Sequence, residues 1–398
     1  MNGPAVTGPF GLGAALAERE QAGLLRNRIA TDGASGGRLR VAGRDYLNVS
    51  ANDYLGLADH PAIKAAFQEG IERYGAGAGA SPLVTGYSRA HQELEETLAE
   101  WLGVEAVLLF NCGFSANQAV LKALLGKEHL LWQDKLNHAS LQEMGSQLPC
   151  KMKRFAHNDM AALERQLEPN RGLIVSEGVF SMDGDQAPWT ELAILAARSG
   201  NWLMIDDAHG LGVLGPEGRG TLAAQGVNPA SVHIQMGTFG KALGVAGAFV
   251  GGSRELVEYL LNFARHYVYS THMPAAQACA VSKSIELVRT ADEARAHLGQ
   301  LIARFRQGAE ALGWQLGASA TPIQPLQVGE SSAALQLAER LRDRGVWAGA
   351  IRPPTVPVGT ARLRITLSAA HREQDVDRLL DALGACPAEA TVGEACHG

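Results

Sequence analysis

The sequence predicts an α/β protein with a large domain on a mainly parallel sheet, a smaller C-terminal α+β domain and an N-terminal helical arm. Between residues 104 and 236, short apolar runs alternate with stretches of helical periodicity, the pattern of successive βαβ units. Glycines, acids and hydroxyl residues follow directly on these runs, where an open parallel sheet gathers its ligands. After about residue 280 the rhythm changes to long amphipathic helical stretches with fewer, shorter strand-like runs, which predicts a separate α+β unit.

In chain order, residues 12–29 read as a helix carrying Leu16, Leu24, Leu25 and Ile29 on one face. Its basic end, Arg26-Asn27-Arg28, is either a solvated terminus favoured by the helix dipole or an anion contact. The glycines of residues 75–79 read as a flexible approach segment. Ser88 caps a helix bearing Leu94, Leu98, Trp101 and Leu102, and Gly103 ends it. A strand over Val104–Phe110 leads to Gly113-Phe114 and a helix ending near Gly126. Further strands are expected at Leu130–Trp132, Met152–Phe155, Leu173–Val175, Trp202–Ile205 and Val232–Met236, with helices over Asp159–Leu167 and Pro188–Ser199. Helices around Ile285–Val288, Leu298–Leu312 and Ala333–Arg344, with a strand at Arg362–Leu367, complete the C-terminal unit. The expected division is an arm (1–45), a large domain (46–280), a small domain (281–384) and a short tail (385–398). No internal repeat is visible.

Composition narrows the function. The 398 residues include 46 Gly and 16 Pro, short of the roughly 25–30% that marks low complexity. With 46% hydrophobic and 19% charged residues, the chain can bury a large core. A net charge of −6 provides no field for collecting nucleic-acid phosphates. No run is long and apolar enough for a membrane helix, and the start lacks the pattern of a secretory signal. Five widely spaced cysteines without a CxxC pair fit a reducing, cytoplasmic setting rather than a disulfide framework or zinc site. Cys112 is read as a small residue packing a tight turn, with a catalytic thiol as the alternative.

The chemistry concentrates at strand ends. Trp202–Ile205 runs into Asp206-Asp207-Ala208-His209-Gly210, and a carboxylate directly after four apolar residues needs a cationic or hydrogen-bonding partner. A metal site from Asp206, Asp207 and His209, or a structural cap, are the other readings. Val232–Met236 leads into Gly237-Thr238-Phe239-Gly240-Lys241, where burial would favour the neutral amine of Lys241. An acid and a lysine that each follow a buried strand suit pyridoxal 5'-phosphate (PLP), which needs a lysine for its Schiff base and an acid on its ring nitrogen. Gly113-Phe114-Ser115, between strand and helix, offers free N–H groups to a phosphate, and Thr238 a hydroxyl. Neither a Walker loop nor a dinucleotide fingerprint is present. His138, in Leu136–Ser140, is either a structural histidine of a polar loop or a cap for the ring, and Glu177–Asp185 brings a hydroxyl and carboxylates to the same edge.

These residues resemble the α-oxoamine synthases, fold-type-I PLP enzymes, over about residues 12–384. The segments that carry the resemblance are Asn52–Leu57, Thr85–Ser88, Asn111–Gln118, Asn137–Ser140, Glu177–Asp185, Asp206–Gly210, Thr238–Lys241 and Ala350–Pro357. The resemblance implies a PLP-dependent acyltransferase in which Lys241 forms the Schiff base, Asp206 pairs with the ring nitrogen and His138 stacks on the ring. It implies that His209 and Ser181 contact the ring oxygen region, and that Gly113, Phe114 and Thr238 hold the cofactor and its phosphate. Arg352 would fork the amino-acid carboxylate with Asn52 nearby, and Arg26 and Thr355 would contact the acyl substrate or product. It further implies a homodimer with sites at the interface, where Ser270 and Thr271 reach the partner's phosphate. The Ala350–Pro357 segment points to the branch that condenses L-alanine with pimeloyl-CoA or a pimeloyl carrier protein. Glycine plus acetyl-CoA is the rival reaction, and a non-catalytic scaffold subunit a remoter one. Ala51 and His272 depart from the family's usual smaller or hydroxyl residues without removing a group that the chemistry needs.

Overall fold

The computed structural model describes residues 10–33 and 36–386; the tail expected over 385–398 lies almost wholly outside the described residues. Thirteen strands are described: β1 (Arg38–Val41), β2 (Arg44–Asn48), β3 (Ala106–Phe110), β4 (Leu130–Asp134), β5 (Lys151–Phe155), β6 (Gly172–Glu177), β7 (Trp202–Asp206), β8 (Ile234–Thr238), β9 (Ala248–Gly252), β10 (Ile323–Gly329), β11 (Val346–Trp347), β12 (Gly349–Ile351) and β13 (Ala361–Thr366). Seven of them form one sheet in the order β3-β9-β8-β7-β6-β4-β5. The pairs β4–β5, β4–β6, β6–β7 and β7–β8 are parallel, while β9 runs antiparallel to both neighbours. This is the mainly parallel α/β architecture expected.

Strand β6 illustrates why these runs are apolar throughout. Leu173 and Val175 face the cluster that includes Ala116 and Val120 of helix Gly113–Leu124. Ile174 faces the opposite cluster with Leu192 and Leu195 of helix Trp189–Ser199. Both faces are covered, so alternation gives way to a continuous apolar run. The helix over Arg89–Leu102 has the expected buried stripe, Leu94, Leu98, Trp101 and Leu102, between Ser88 and Gly103.

Two expectations change. The N-terminal helix spans only Leu12–Gln21 and buries no residue. It ends because Gly23 takes a left-handed conformation (φ 64°) that other residues avoid, and Leu24 and Leu25 fold their N–H groups back onto the Arg19 carbonyl. Arg26 therefore lies beyond the helix, in no regular element. The boundary expected after residue 45 falls inside β2. That strand pairs with β1 and, in parallel, with β11, so the 38–48 hairpin shares a three-stranded sheet with C-terminal residues 346–347. A second three-stranded sheet, β10-β13-β12, is antiparallel.

Candidate active site

The carboxyl ends of β6, β7 and β8 open into a cavity of about 200 Å³ lined by Gly113, Phe114, Asn117, His138, Glu177, Asp206, Ala208, His209, Met236, Thr238 and Lys241. Residues up to 128 positions apart in sequence thus meet because parallel strands deliver their C-terminal ends to one edge.

Lys241 follows β8 in a tight turn, and its Nζ lies 2.9 Å from His209 Nε2. Burial pulls the lysine down to about 8, against the pull of Asp206 and Glu177 in the other direction, while Arg364 adds to the lowering. His209 is also buried, and its pKa falls well below the usual imidazole range, with the charges of Lys241, Arg364 and His138 adding to the effect. A neutral imidazole has one donor and one acceptor nitrogen, so His209 can bridge Lys241 to the Tyr54 hydroxyl, 2.6 Å from Nδ1.

Asp206 ends β7. Its Oδ2 accepts from Asn117 Nδ2 at 2.8 Å, and its Oδ1 from the Ala208 N–H at 3.1 Å. Asn117 also donates to Ser140 Oγ at 2.9 Å, and Ser140 Oγ lies 2.8 Å from His138 Nδ1. The acid and the histidine are therefore fixed by one continuous network. Burial lowers the pKa of His138, Asp206 opposes this and Lys241 reinforces it. Asp207, next in sequence, turns away: its carboxylate accepts from Thr221 Oγ1 (2.6 Å) and Thr221 N–H (2.7 Å). It is spent on holding the 206–221 loop. The metal reading loses its second carboxylate, and among the described residues no group of three or more candidate ligands is found.

The residues fit PLP. Thr238 Oγ1 is buried without a partner at the N-terminal end of helix Gly113–Leu124. The first N–H groups of a helix lack intrahelical acceptors, which together with this hydroxyl make a phosphate seat. A Cβ on Gly113 would stand 2.6 Å from Thr238 Cγ2, so only glycine keeps the seat open. Phe114 meets His138 edge-on, ring centroids 6.3 Å apart, at the mouth.

Other expected residues stand elsewhere. Ser181 does not line the cavity; its carbonyl accepts from Arg364 Nε at 2.6 Å. Asn52 is paired with Arg364 rather than Arg352: Arg364 donates to Asn52 Oδ1 at 3.0 Å and reaches Tyr54 at 3.5 Å. Arg352 instead donates to the Gly23 carbonyl. With Arg26, Asn27 and Thr355 it lines a separate cleft of about 440 Å³, where Arg26 lies 3.5 Å from Thr355 Oγ1. Ser270 and Thr271 do not reach the cavity of their own chain; the Thr271 carbonyl accepts from Asn111 at 2.7 Å. His272 is turned inward against His91, ring centroids 4.3 Å apart. The Cys112 thiol is exposed and meets Ser115 Oγ, not the cavity.

Sequence reasoning assigned no role to Arg364, Asn117 or Tyr54. Arg364 carried a signal: it sits with Arg362 at alternate positions of a strand in which every residue is buried. Charges so placed need partners within the fold.

A fold of this kind with a lysine, an acid and a phosphate seat at the sheet edge defines a PLP-dependent transferase. The family model described as aminotransferase class I and II matches residues 44–383. The chain is 89% identical over 398 residues to 8-amino-7-oxononanoate synthase of Aeromonas hydrophila, covering all of both chains. Among solved structures, a serine palmitoyltransferase from S. paucimobilis with bound PLP and myriocin has a TM-score of 0.89 at 28% identity, over 96% of this chain and 98% of that one. The 8-amino-7-oxononanoate synthase of Francisella tularensis has a TM-score of 0.76 at 26% identity, over 85% and 97%. The chain belongs to the class I and II aminotransferase family and, within it, to the 8-amino-7-oxononanoate synthases, PLP-dependent acyltransferases of fold type I.

Proposed function

We propose that this enzyme condenses L-alanine with a pimeloyl thioester, releasing CO2 and the thiol carrier and forming 8-amino-7-oxononanoate for biotin synthesis. The observation that carries the reading is the half-buried lysine, lowered to about 8 and sharing one cavity with an acid and a phosphate seat. Bound there, PLP supplies an electron sink for charge developing at the amino acid's Cα.

Lys241 would anchor the cofactor, and its amine would take the Cα proton and return it, because an amine near neutrality is suited to both transfers. His209, held neutral, passes hydrogen-bond polarity between Lys241 and Tyr54. Asp206, fixed by Asn117, would hold the ring nitrogen, and His138 would cover the ring. Gly113, Phe114 and Thr238 would hold the phosphate end. Arg364 is the better candidate for the alanine carboxylate than Arg352, since it belongs to the Asn52–Tyr54–His209 network that ends at Lys241. Arg352, Arg26 and Thr355 form a cationic cleft suited to the acyl donor's distal carboxylate. Ser270 and Thr271 do not line the cavity of their own chain, and in this reading they reach the partner's phosphate in a homodimer. The enzyme works in the cytoplasm in this reading; among the described residues no helix is long and apolar enough to cross a membrane.

The test is a product assay with alanine or glycine against pimeloyl, acetyl and succinyl thioesters. The reading expects 8-amino-7-oxononanoate from alanine and the pimeloyl donor as the main product. Preferred turnover of glycine with acetyl-CoA would replace it with the sister reaction. A pocket separates substrates one methyl apart by only about 10–200-fold, so the two amino acids must be compared directly.

A further inference from the structure

Two carboxyls stand side by side at the cavity. Glu177 and Asp206 are register partners on the parallel strands β6 and β7, and both line the space around Lys241. Side chains in register on neighbouring strands point to the same face. Their surroundings differ. Asp206 has a donor on each oxygen, from Asn117 and from the Ala208 N–H. Glu177 is 2% exposed, and its Oε1 has no hydrogen-bond partner. Two buried anions in register would repel, and the one with an oxygen left without a donor would carry the larger desolvation cost. The negative charge belongs where both oxygens have donors.

We propose that this pair carries a single negative charge, on Asp206, while Glu177 keeps its proton and presents an O–H into the space that PLP fills. The proposal rests on the reading of this cavity as the cofactor site. Lysine and acid then face one another as one cation and one anion, and the second carboxyl is a neutral donor. The groups facing Glu177 are Asp206 on β7, Asp134 on β4, Lys241 after β8 and the His138 backbone N–H. Burial raises Glu177 well above the usual carboxyl range, and Asp206 and Asp134 add to this, whereas Lys241 and the His138 N–H oppose it.

The test uses the cofactor-free protein and reads the pH at which added PLP becomes attached to Lys241, trapped by borohydride and located by mass spectrometry. Wild type should show a midpoint of about 8. Asp206→Asn removes the anion and should move that midpoint down by about one unit. Glu177→Gln keeps shape and neutrality, so its midpoint should stay within about 0.3 unit and its PLP affinity within about threefold. Glu177→Leu removes the donor and should weaken PLP binding at least about tenfold, with thermal unfolding used to establish that the variant folds. A Glu177→Gln midpoint that falls as far as that of Asp206→Asn would overturn the proposal, as would a folded Glu177→Leu with unchanged PLP affinity. Lys241→Ala is the separate control. Attachment of PLP at an unchanged level in that variant would overturn the reading of the cavity itself, whatever Glu177 does.

Discussion

Two acid–base clusters sit on the same edge of the large sheet and end in opposite states. Around His157, both ring nitrogens are engaged by carboxylates: Nδ1 lies 3.0 Å from Asp134, and Nε2 lies 2.7 Å from Asp185. Phe180 closes the ring edge-on at 4.4 Å. Burial works against the charged imidazole there, but the two carboxylates outweigh it and raise His157 to about 10. Around Lys241 burial wins instead. The lysine and both histidines are lowered, and Thr238 Oγ1 and Glu177 Oε1 have no partner. A buried base becomes a permanent cation where carboxylates engage both of its nitrogens. It becomes a titratable amine where the donors and acceptors around it are left open for a ligand. The first arrangement ties strand ends together; the second is fit for chemistry.

The comparison can be broken most forcefully at Lys241. Lys241→Ala should lose at least about 10³-fold in kcat, since anchor and base go together, and a steady-state assay of product formation checks it. Retained turnover would remove the lysine from the chemistry. Asp206→Asn should follow with a loss of roughly 10²-fold or more in kcat while PLP stays bound, read by absorbance and assay together. Arg364→Ala should raise KM for alanine about 30-fold or more, the scale of losing a charged carboxylate contact, and Arg352→Ala much less. The reverse order of the two arginines would return the carboxylate to Arg352.

The His157 cluster should respond in stability rather than rate. His157→Gln is expected to cost about 2–3 kcal/mol, moderated because the side chain is about a quarter exposed. A histidine with a folded-state value raised to about 10 contributes fully below its unfolded value near 6.5. The Tm difference from wild type should therefore be greatest below about pH 6.5 and shrink as the pH rises through about 10. A difference constant across that range would mean that the imidazole is not held as a cation. At the bottom of the scale, Cys112→Ser should change kcat less than about twofold, because its thiol faces Ser115 and solvent. A large loss would restore the thiol as a chemical group.

Much of this was legible in the sequence, for a physical reason. His138, Asp206 and Lys241 lie a few residues after, or directly at the end of, an apolar run, and a parallel sheet must bring such positions together. The acid–lysine pair could be read without knowing any distance. Arg364 was not, because it lies within a run that reads as strand, and its partners Asn52, Tyr54 and Ser181 are scattered over the chain. Ala350–Pro357 is legible as a motif, but spacing cannot tell which arginine the fold pairs with Asn52, and that arginine is Arg364. The N-terminal helix failed for a simpler reason. Its leucines have helical spacing, yet Leu12 and Leu16 are 68% and 56% exposed, so no buried face extends the helix past Gly23.

The central claim is that the enclosed amine at the end of β8 is the one that carries the cofactor. Borohydride reduction of the PLP-loaded enzyme, followed by peptide mapping, tests it directly. The account predicts a single reduced PLP adduct on Lys241. An adduct on a different lysine, or none on the peptide containing residues 234–247, would contradict it.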